Sequence, residues 1–440
     1  MLIQQLSMVV FTMVVLLSFI DFKRVVLFWL PAQLLFNAQV ALRYAPPALS
    51  LQIGVNIYLL IYYIVYSHVN RKNTGLRENF PLWRVSVFIL SSYIFSTIFG
   101  QYGTLRGMTL AIKYFVTDIG TVFLTFKMVQ SDKDLKFFVR SSAFVFTIII
   151  ALGISEFVLQ DNLWADFVYI GSPHDETTEG RMYYIPPFLG GSYQMRYGLI
   201  RAISTFGIHI SFGAACVVYF WLFLQMKVRN FKYISNRWAT FFALMILMGV
   251  FLCNSKTGMV GLFFLLISLF SLKQLITPKY AFIFFVCLSI MLIFVPEYFQ
   301  NIVSLFDSDV AEEGGGSSVE LRQQQFVAAQ RMFMMNPIFG NGIGSLDILK
   351  KIGDNSDILG AESVWMQILP ERGMYGMIAH CYLYVACYKY FRHVMPVRIL
   401  LFYLLAIFVM STATGEITMV YWGVVLFVSS KMFIQRKEYY

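Results

Sequence analysis

Long apolar runs separated by short polar segments make up most of the chain. Thirteen such runs can be marked, and most have the roughly 17–25 residues that an α-helix needs to cross the hydrocarbon core of a bilayer. The pattern therefore predicts one membrane domain over residues 1–440 with about 12–13 transmembrane helices. The runs cover residues 2–20, 25–42, 48–66, 84–100, 109–128, 137–158, 205–224, 238–254, 257–272, 280–296, 363–389, 398–412 and 417–434.

The amino-acid composition supports a membrane protein. Hydrophobic residues make up 58% of the chain and charged residues only 13%, against about 25% charged residues in an average soluble protein. The predicted fold is therefore an all-α polytopic transmembrane helical bundle. The five cysteines lie in or beside apolar runs, without the spacing of a disulfide framework or a zinc site. We expect neither a metal site nor a cofactor.

The net charge of +10 is unevenly distributed along the chain. Lys and Arg cluster at every second boundary between apolar runs, and by the positive-inside rule these boundaries are cytoplasmic. This arrangement predicts an external N-terminus, a cytoplasmic C-terminus and two long external loops, at residues 159–204 and 297–361. Topology and contact with lipid headgroups explain the basic excess, so we expect no nucleic-acid partner.

The second external loop contains a predicted amphipathic helix. The helix is expected to stop at the Asn-Pro pair at residues 336–337. The GNGIG run that follows lacks the preceding strand and the Lys-Ser/Thr of a nucleotide-binding loop, so a sharp glycine turn back to the membrane is predicted. The apolar positions that recur at helical spacing are Phe326, Val327, Ala329 and Phe333.

Basic residues in the external segments are candidates for binding phosphate. Guanidinium groups hold phosphate oxygens in bidentate fashion, and an ammonium group can pair with an anion. Each of these side chains could instead extend to lipid headgroups or anchor a helix end, and the sequence leaves that alternative open. The candidates are Arg196 and Arg201 ahead of one helix, Lys256 between two helices, and Arg322 and Arg331 in the loop helix.

The stretch ESVWMQILPERGMYGM at residues 362–377 places charges at the mouth of an apolar run. Charged groups at that depth are costly and usually functional. Glu362 and Ser363, at the start of this run, are therefore candidate functional residues. An ordinary ion pair between Glu362 and Arg372 is the alternative.

Three further polar residues fall within apolar runs. Asp118 and Glu156 fit either a proton relay or structural partners, and the sequence does not decide between them. His209, expected one turn inside its helix, fits a base or, more commonly, a packing residue.

Glu362-Ser363, followed after nine residues by Gly373-x-x-Gly376, resembles a signature of the O-antigen ligase and Wzy-type polysaccharide polymerase superfamily. In that signature a His-Asn or His-Ser pair precedes the Gly-x-x-Gly at the start of a late transmembrane helix. Three other stretches resemble superfamily elements in the same order, so the similarity spans about residues 195–380. They are RAISTFGIHISFG, NSKTGMVGLFFLL and LRQQQFVAAQRMFMMNPIFGNGIG.

The resemblance implies a GT-C-like glycosyltransferase of the bacterial cytoplasmic membrane with an outward-facing active site. Its implied partners are glycans on undecaprenyl diphosphate and the surrounding lipids, without a nucleotide sugar. Because Glu362 stands where the ligase pattern has His, the resemblance favours a polymerase of O-antigen, capsule or exopolysaccharide. A ligase that transfers polysaccharide to lipid A core stays open. Polymerases of this kind usually act beside a chain-length regulator.

The resemblance and elementary chemistry together suggest roles for the candidates. A sugar hydroxyl gains from a general base, which is the role expected for Glu362. A departing diphosphate gains from fixed cations, and Arg201 and Arg322 are expected to act there. The remaining candidates are expected to bind substrate: Arg196, Lys256, Ser363, Arg331 and Arg372.

A transporter is the main rival class. Many transporters have repeated halves and helices broken near mid-membrane. The sequence shows no internal repeat, and its polar residues cluster on one face of the membrane. An outward-facing enzyme is therefore favoured.

Overall fold

The computed structural model of the chain describes residues 2–36, 40–43, 49–69, 80–102, 105–164, 167–168, 195–196, 199–270, 319–346, 363–414 and 417–438. Helices dominate these residues, and the strands among them are two short pairs. The all-α polytopic bundle predicted from the sequence is confirmed.

The helices follow the apolar runs closely, apart from the run at 280–296, which lies outside the described residues. A π-helical segment, Phe115–Ile119, joins α4 to α5. The helices are α1 (Leu2–Ala32), α2 (Leu51–Val69), α3 (Trp83–Phe99), α4 (Leu105–Tyr114), α5 (Gly120–Met128), α6 (Asp132–Leu159), α7 (His209–Arg229), α8 (Asn236–Leu252), α9 (Lys256–Leu269), α10 (Val319–Met335), α11 (Val364–Phe391), α12 (Val397–Thr414) and α13 (Met419–Glu438).

The two strand pairs are antiparallel and short. Between α1 and α2, β1 (Ala41–Arg43) pairs with β2 (Leu49–Ser50), and ahead of α7, β3 (Met195–Arg196) pairs with β4 (Leu199–Ile200). His209 is the first residue of α7, so its expected place one turn inside the helix is wrong.

The apolar run at 25–42 predicts a helix that is too long. Helix α1 ends at Ala32 and a 3-10 turn follows, after which Phe36 adopts an extended conformation. Residues 40–42 of the run are not helical, and the carbonyl of Val40 accepts a hydrogen bond from the Leu51 N–H at 2.8 Å. The apolar run extends past the end of the helix because Val40, Ala41 and Leu42 are themselves buried.

Several helices are long and apolar enough to cross a membrane. Within the described residues five spans meet this criterion by length and composition, and shorter apolar helices accompany them. Large apolar side chains on the first half of α1 point outward, as lipid contact requires and as a soluble protein would rarely allow. The five spans are Leu2–Leu35, Leu51–Val69, Gly107–Met128, Asp132–Leu159 and His209–Arg229.

Helix α1 contains the break that the sequence predicts between its first two apolar runs. Asp21 has φ −148 and ψ 82, outside the helical region. Its Oδ1 accepts the Arg24 N–H at 3.0 Å, as an N-cap residue does, and its Oδ2 lies 3.1 Å from Arg24 Nε. Two helical segments, at 2–20 and 22–32, therefore meet at Asp21, and the second is shorter than a membrane span.

Capping and an ion pair tie α1 to α6. Ser131 and Asp134 form a reciprocal capping box at the start of α6. Lys23 Nζ lies 2.7 Å from Asp134 Oδ2. We call this end of the bundle the predicted cytoplasmic end, and the opposite end, where α7 and α11 begin, the predicted outer end.

Helix α7 forms the centre of the bundle. Nearly every residue from Phe212 to Met226 is buried, which is typical of a helix that is apolar all round. The Trp221 indole donates to Ser268 Oγ at 2.9 Å and packs against Tyr403 with 4.5 Å between ring centroids. These contacts join α7 to α9 and α12.

Asp118 lies in the π-helical segment and has a structural role. Its Oδ1 accepts the Met419 N–H at 2.6 Å, at the start of α13. A carboxylate at a helix N-terminus satisfies a free donor and complements the helix dipole. Of the two interpretations left open by the sequence, this bond favours the structural one.

Helix α10 confirms the predicted loop helix but buries a different face. It ends at Met335, next to the predicted Asn-Pro stop. The buried positions are Gln325, Ala329 and Met332, whereas Phe326 is 54% exposed and Val327 is also exposed. The helix packs on α11 through its 325-329-332 face, and Phe326 and Val327 lie outside that face.

Labelling of introduced cysteines tests the predicted orientation. Arg331 in α10 and Arg237 in α8 are both exposed, and the charge pattern places them on opposite sides of the membrane. In intact cells we expect a membrane-impermeant maleimide to label Arg331→Cys but not Arg237→Cys, and in permeabilised cells both. The unsubstituted chain supplies the background from native cysteines. Labelling of Arg237→Cys alone in intact cells would show the orientation to be inverted.

Candidate active site

Helix α11 is broken at Gly373. This residue has φ +61 and ψ −164, a conformation that is essentially restricted to glycine. Pro370, three residues earlier, lacks an N–H and its ring opposes a regular helix. The apolar run at 363–389 therefore forms two helical segments, and the prediction of one continuous helix there is wrong.

The loop between α10 and α11 pairs with the backbone that the break exposes. After the break, the Met374 N–H donates to the Pro337 carbonyl at 2.9 Å. The Tyr375 N–H donates to the Ile338 carbonyl at 3.0 Å. Both donors would be costly if left unpaired in a membrane, so the loop makes the break possible.

The same loop satisfies the carbonyl groups before the break. Pro370 O accepts the Asn341 N–H at 2.8 Å, and Glu371 O accepts the Gly342 N–H at 3.2 Å. The Glu371 carboxylate also takes part, since its Oε1 accepts the Gly344 N–H at 2.9 Å. Donors and acceptors on both sides of the break are thus paired with one loop.

Positive φ angles let this loop follow the break so closely. Gly340, Gly342 and Gly344 have φ values of +77, +109 and +82. A Cβ atom at Gly340 would collide with the backbone of Glu371. The sharp glycine turn predicted from the GNGIG run is confirmed.

Aromatic packing fixes the loop to α3 as well as to α11. The Phe339 ring lies 4.9 Å from Phe99, 5.7 Å from Phe95 and 5.8 Å from Tyr375, measured between ring centroids. The hydroxyl groups of Ser91 and Tyr375 are 2.9 Å apart. The broken helix, its loop and α3 therefore form one packed unit at the predicted outer end.

Ser363 begins α11 and is buried. Its Oγ accepts the Trp365 N–H at 3.4 Å as the N-cap of the helix. The Trp365 indole donates to Thr412 Oγ1 at 2.8 Å, which ties the start of α11 to the end of α12. Helix α12 also touches α9, where a Cβ at Gly261 would collide with the Met410 side chain.

Arg372 lies inside the bundle. It is 4% exposed, and its guanidinium carbon stands 4.4 Å from the centroid of the Tyr93 ring. Tyr93 in turn stacks on Tyr114 at 5.4 Å. This arrangement gives Arg372 a packing role, and its expected role in binding substrate stays a prediction.

The segment 201–208, between β4 and α7, is attached to distant parts of the chain. The Ala202 N–H donates to the Leu252 carbonyl at 3.0 Å, at the end of α8. Thr205 Oγ1 donates to the Leu34 carbonyl at 2.9 Å, in the turn after α1. The segment is therefore hydrogen-bonded both to the turn after α1 and to the end of α8.

Glu156 holds the same segment from α6. Its buried Oε2 accepts the Ile203 N–H at 2.9 Å and the Ser204 N–H at 2.7 Å. Ser204, with φ +52, also accepts from Asn162 Nδ2 through its carbonyl at 3.0 Å. This bonding favours the structural interpretation of Glu156 over a proton relay.

Two of the predicted cations lie at the turn that joins α8 to α9. The half-buried Arg201 is close enough to Cys253 in this turn to interact electrostatically with its thiol. Ser255 accepts the Gly258 N–H at 3.5 Å and caps α9. Lys256 is the first residue of that helix and is partly exposed. The structure thus brings Arg201 and the α9 start to the same turn.

A cavity of about 440 Å³ opens at the predicted outer end, bounded by the turn after α1, α2, α4 with the π-helical segment, the 201–208 segment, the start of α7 and the start of α13. Amide, hydroxyl and aromatic groups line it, and these suit the hydroxyl groups and apolar faces of a sugar. The lining residues are Gln33, Leu34, Phe36, Gln52, Lys113, Tyr114, Thr117, Asp118, Thr205, Phe206, Gly207, Ile208, Ser211, Thr418, Val420 and Tyr421.

A hydrogen-bond network orients the amides of this cavity. Gln33 Oε1 accepts from Gln52 Nε2 at 3.3 Å and from Asn56 Nδ2 at 3.2 Å. The Trp29 indole donates to Asn56 Oδ1 at 2.8 Å. The wall of the cavity is therefore organised without a ligand.

The remaining predicted residues are not assembled by the described structure. Glu362 lies outside the described residues. Arg322 belongs to α10 and Arg196 to β3, but their side chains also lie outside the described set. Arg331 is exposed on α10. The catalytic and binding roles proposed for these residues stay predictions.

Residues 240–381 match the family model described as O-antigen ligase. The match covers about a third of the chain, from α8 into α11, and includes the glycine loop and the break at Gly373. This match supports the resemblance to the superfamily of O-antigen ligases and polymerases. No curated protein matches the chain significantly. The resemblance predicted from the order of the motifs is confirmed over these residues, whereas Arg196 and Arg201 precede the matched residues.

Sequence patterns missed two features of the predicted outer end. The cavity collects side chains from distant segments that no spacing rule connects. His380 is buried in α11, and its ring centroid lies 5.7 Å from those of Trp365 and Tyr384. Among the described residues neither of its ring nitrogens has a hydrogen-bond partner. The sequence signal that could have identified His380 is a histidine within an apolar run.

Alanine substitutions at the two signature glycines form a matched pair. A Cβ at Gly373 would have an unfavourable φ and would collide with the backbone of Ile338, whereas Gly376 has no positive φ and its Cβ would collide with the Cβ of Arg372, one turn earlier in the helix. We expect Gly373→Ala to lower the free energy of unfolding by about 1–3 kcal/mol more than Gly376→Ala, because only Gly373 adds backbone strain to the collision. Thermal unfolding of the purified chains in detergent measures both. Equal losses would mean that the close approach at Gly373 does not stabilise the break.

Substitutions of Glu156 separate a structural role from a proton relay. Glu156→Ala leaves two buried N–H donors without their acceptor, at about 1–3 kcal/mol each, so folded yield and activity should both fall. Glu156→Gln keeps an acceptor oxygen and should retain most of both. Glycan formed per folded molecule, together with thermal stability, is the measurement. A stable Gln variant without activity would instead support a relay.

Proposed function

We propose that the chain is a polysaccharide polymerase at the outer face of the bacterial cytoplasmic membrane. In the proposed reaction, an acceptor hydroxyl of one lipid-linked repeat unit attacks the anomeric carbon of a glycan on undecaprenyl diphosphate. A glycosidic bond forms, the bond to the diphosphate oxygen breaks, and the hydroxyl proton passes to a base. The observation that carries the proposal is the O-antigen ligase match at 240–381, in which Glu362 replaces the histidine of the signature.

Fixed cations support the leaving-group half of the proposal. Negative charge grows on the diphosphate as the bond breaks, and prearranged cations stabilise such charge most effectively when they need not move. Arg201 follows directly on β4 and precedes residues that are hydrogen-bonded to the turn after α1, to α6 and to α8. With Lys256 at the adjoining turn, and Arg322 contributed by α10, we assign these groups to the diphosphate.

The outer cavity supports the acceptor half of the proposal. Its volume of about 440 Å³ lies in the range of roughly 300–1,000 Å³ that is usual for ligand sites. Thr205 and Phe206 line it, and both belong to the segment that carries Arg201. One tethered segment thus borders both the proposed sugar site and the proposed diphosphate site.

The position of Ser363 supports Glu362 as the base. Ser363 caps α11 and is fixed further by the bond between Trp365 and Thr412. The residue directly before a helix cap is therefore attached to an ordered point at the predicted outer end. A chain-length regulator, as related polymerases use, is a further proposed partner.

A ligase is the second candidate, because the matching family model is described as O-antigen ligase. A transporter is less well supported. The break in α11 is a feature expected of transporters, but here the chain's own loop pairs with the exposed backbone. Such a break does not by itself require a transport pathway.

Glycan length in a complemented deletion strain tests the proposal. We expect wild type to restore long chains. Glu362→Gln should reduce them about 100-fold or more, since a general base contributes at least that factor. Arg201→Gln should also reduce them, whereas Arg237→Gln, which removes an exposed arginine from the opposite end, should behave as wild type.

The form of the accumulated glycan separates the candidates. Single lipid-linked repeats without long chains support a polymerase. Long chains that stay on the carrier and never reach lipid A core point to a ligase. Wild-type glycan in the Gln variant removes Glu362 as the base, and unchanged glycan in the deletion itself refutes both enzymes.

A further inference from the structure

A basic cavity of about 450 Å³ lies at the predicted cytoplasmic end, opposite the proposed active site. Arginines from three helix ends meet there: Arg229 closes α7, Arg392 follows α11 and Arg436 lies in the last turn of α13. His393 lies beside them. Among the described residues that line the cavity none is acidic.

Hydrogen bonds and a ring contact position Arg392 and Arg436, but among the described residues no carboxylate neutralises the charge of the three arginines. Arg436 Nη1 donates to the Arg229 carbonyl at 2.8 Å, and its guanidinium carbon stands 5.7 Å from the centroid of the Phe231 ring. Arg392 Nε donates to His393 Nε2 at 3.2 Å. Within the described ranges none of the three forms an ion pair.

Arg398, on the neighbouring α12, shows what a purely structural arginine does here. It donates to the carbonyls of Ile267 and Phe270 and so caps the end of α9. Its hydrogen-bonding capacity is directed to the backbone. Arg229 differs, because its Nε is buried and has no hydrogen-bond partner among the described residues.

Helix dipoles and the positive-inside rule explain one basic residue at each helix end, but not their convergence. Three guanidinium groups around one cavity repel one another. Buried donors without an acceptor are also rare in native structures. An anion in the cavity would relieve both penalties, and guanidinium groups match phosphate oxygens in geometry as well as charge.

We propose that this cavity binds the phosphate group of an anionic phospholipid from the inner leaflet. Basic cavities between helix ends on the cytoplasmic side are suited to anionic headgroups. The rest of the lining is apolar, as the glycerol and first methylene groups of a lipid require. It consists of Val394, Met395, Pro396 and Phe433.

Lipid binding to the purified full-length chain, followed by native mass spectrometry, tests this proposal. We expect phosphatidylglycerol to bind more tightly than phosphatidylcholine. Replacing Arg229, Arg392 and Arg436 together by Gln should weaken phosphatidylglycerol binding by roughly tenfold or more. The matched control replaces Lys227, Arg237 and Lys389 by Gln. It removes three exposed charges from the same end, outside the cavity, and should change binding less than about twofold.

A second variant covers the case in which the Gln triple variant fails to fold. Replacing the three arginines by Lys keeps charge and topology but removes bidentate contacts, so it should fold and still lose affinity several-fold. Equal losses in cavity and control variants, or equal binding of both lipids, would refute the site. Inorganic phosphate that displaces the lipid and binds as tightly would show a free-anion site instead.

Discussion

The backbone pairing at the break in α11 is the interaction on which the predicted outer end depends. A bilayer offers no water to exposed N–H and C=O groups, so a broken helix survives only where protein replaces the lost bonds. The loop at 337–344 does this on both sides of Gly373, and Phe339 fastens the loop to α3. The signature glycine is thus explained by geometry: only a residue without a side chain allows one backbone to approach another at this point.

The 201–208 segment follows the same principle by other means. It is not helical, and at the predicted outer end it lies among the turn after α1, α6 and α8. Each neighbour supplies a hydrogen-bonding group: Leu34 and Leu252 by their carbonyls and Glu156 by its carboxylate. The segment can therefore place a cation and line a cavity without bending when charge develops. Two irregular segments, each hydrogen-bonded to neighbouring elements, therefore shape the predicted outer end of the bundle.

The sequence predicts what depends on local composition. Apolar runs predicted the helices, the gap between the runs 2–20 and 25–42 marked the first break, and the Asn-Pro pair marked the end of α10. Prediction from the sequence fails where tertiary contacts decide which side chains are buried and which segments meet. The face that α10 buries is set by α11, so Gln325 is inside while Phe326 is not. The break at Gly373 needs a partner loop about thirty residues away in the chain, and the outer cavity needs residues from α1 to α13. The periodicity of apolar residues does not predict contacts between segments that are distant in the chain. Cationic candidates could be named because phosphate chemistry limits the choice, but their grouping could not.

Several acidic residues of the bundle bind backbone N–H groups, and this bears on which acid could act as the base. Asp118, Glu156 and Glu371 lie in or beside membrane-spanning helices, and each accepts a backbone N–H that a turn or a helix start would otherwise leave unpaired. Such carboxylates stabilise irregular backbone, and their removal would disturb structure before chemistry. For the proposed reaction, a base is therefore better sought among the acids of the predicted external loops, where Glu362 directly precedes the capped start of α11, than among acids whose carboxylates hold the backbone in place.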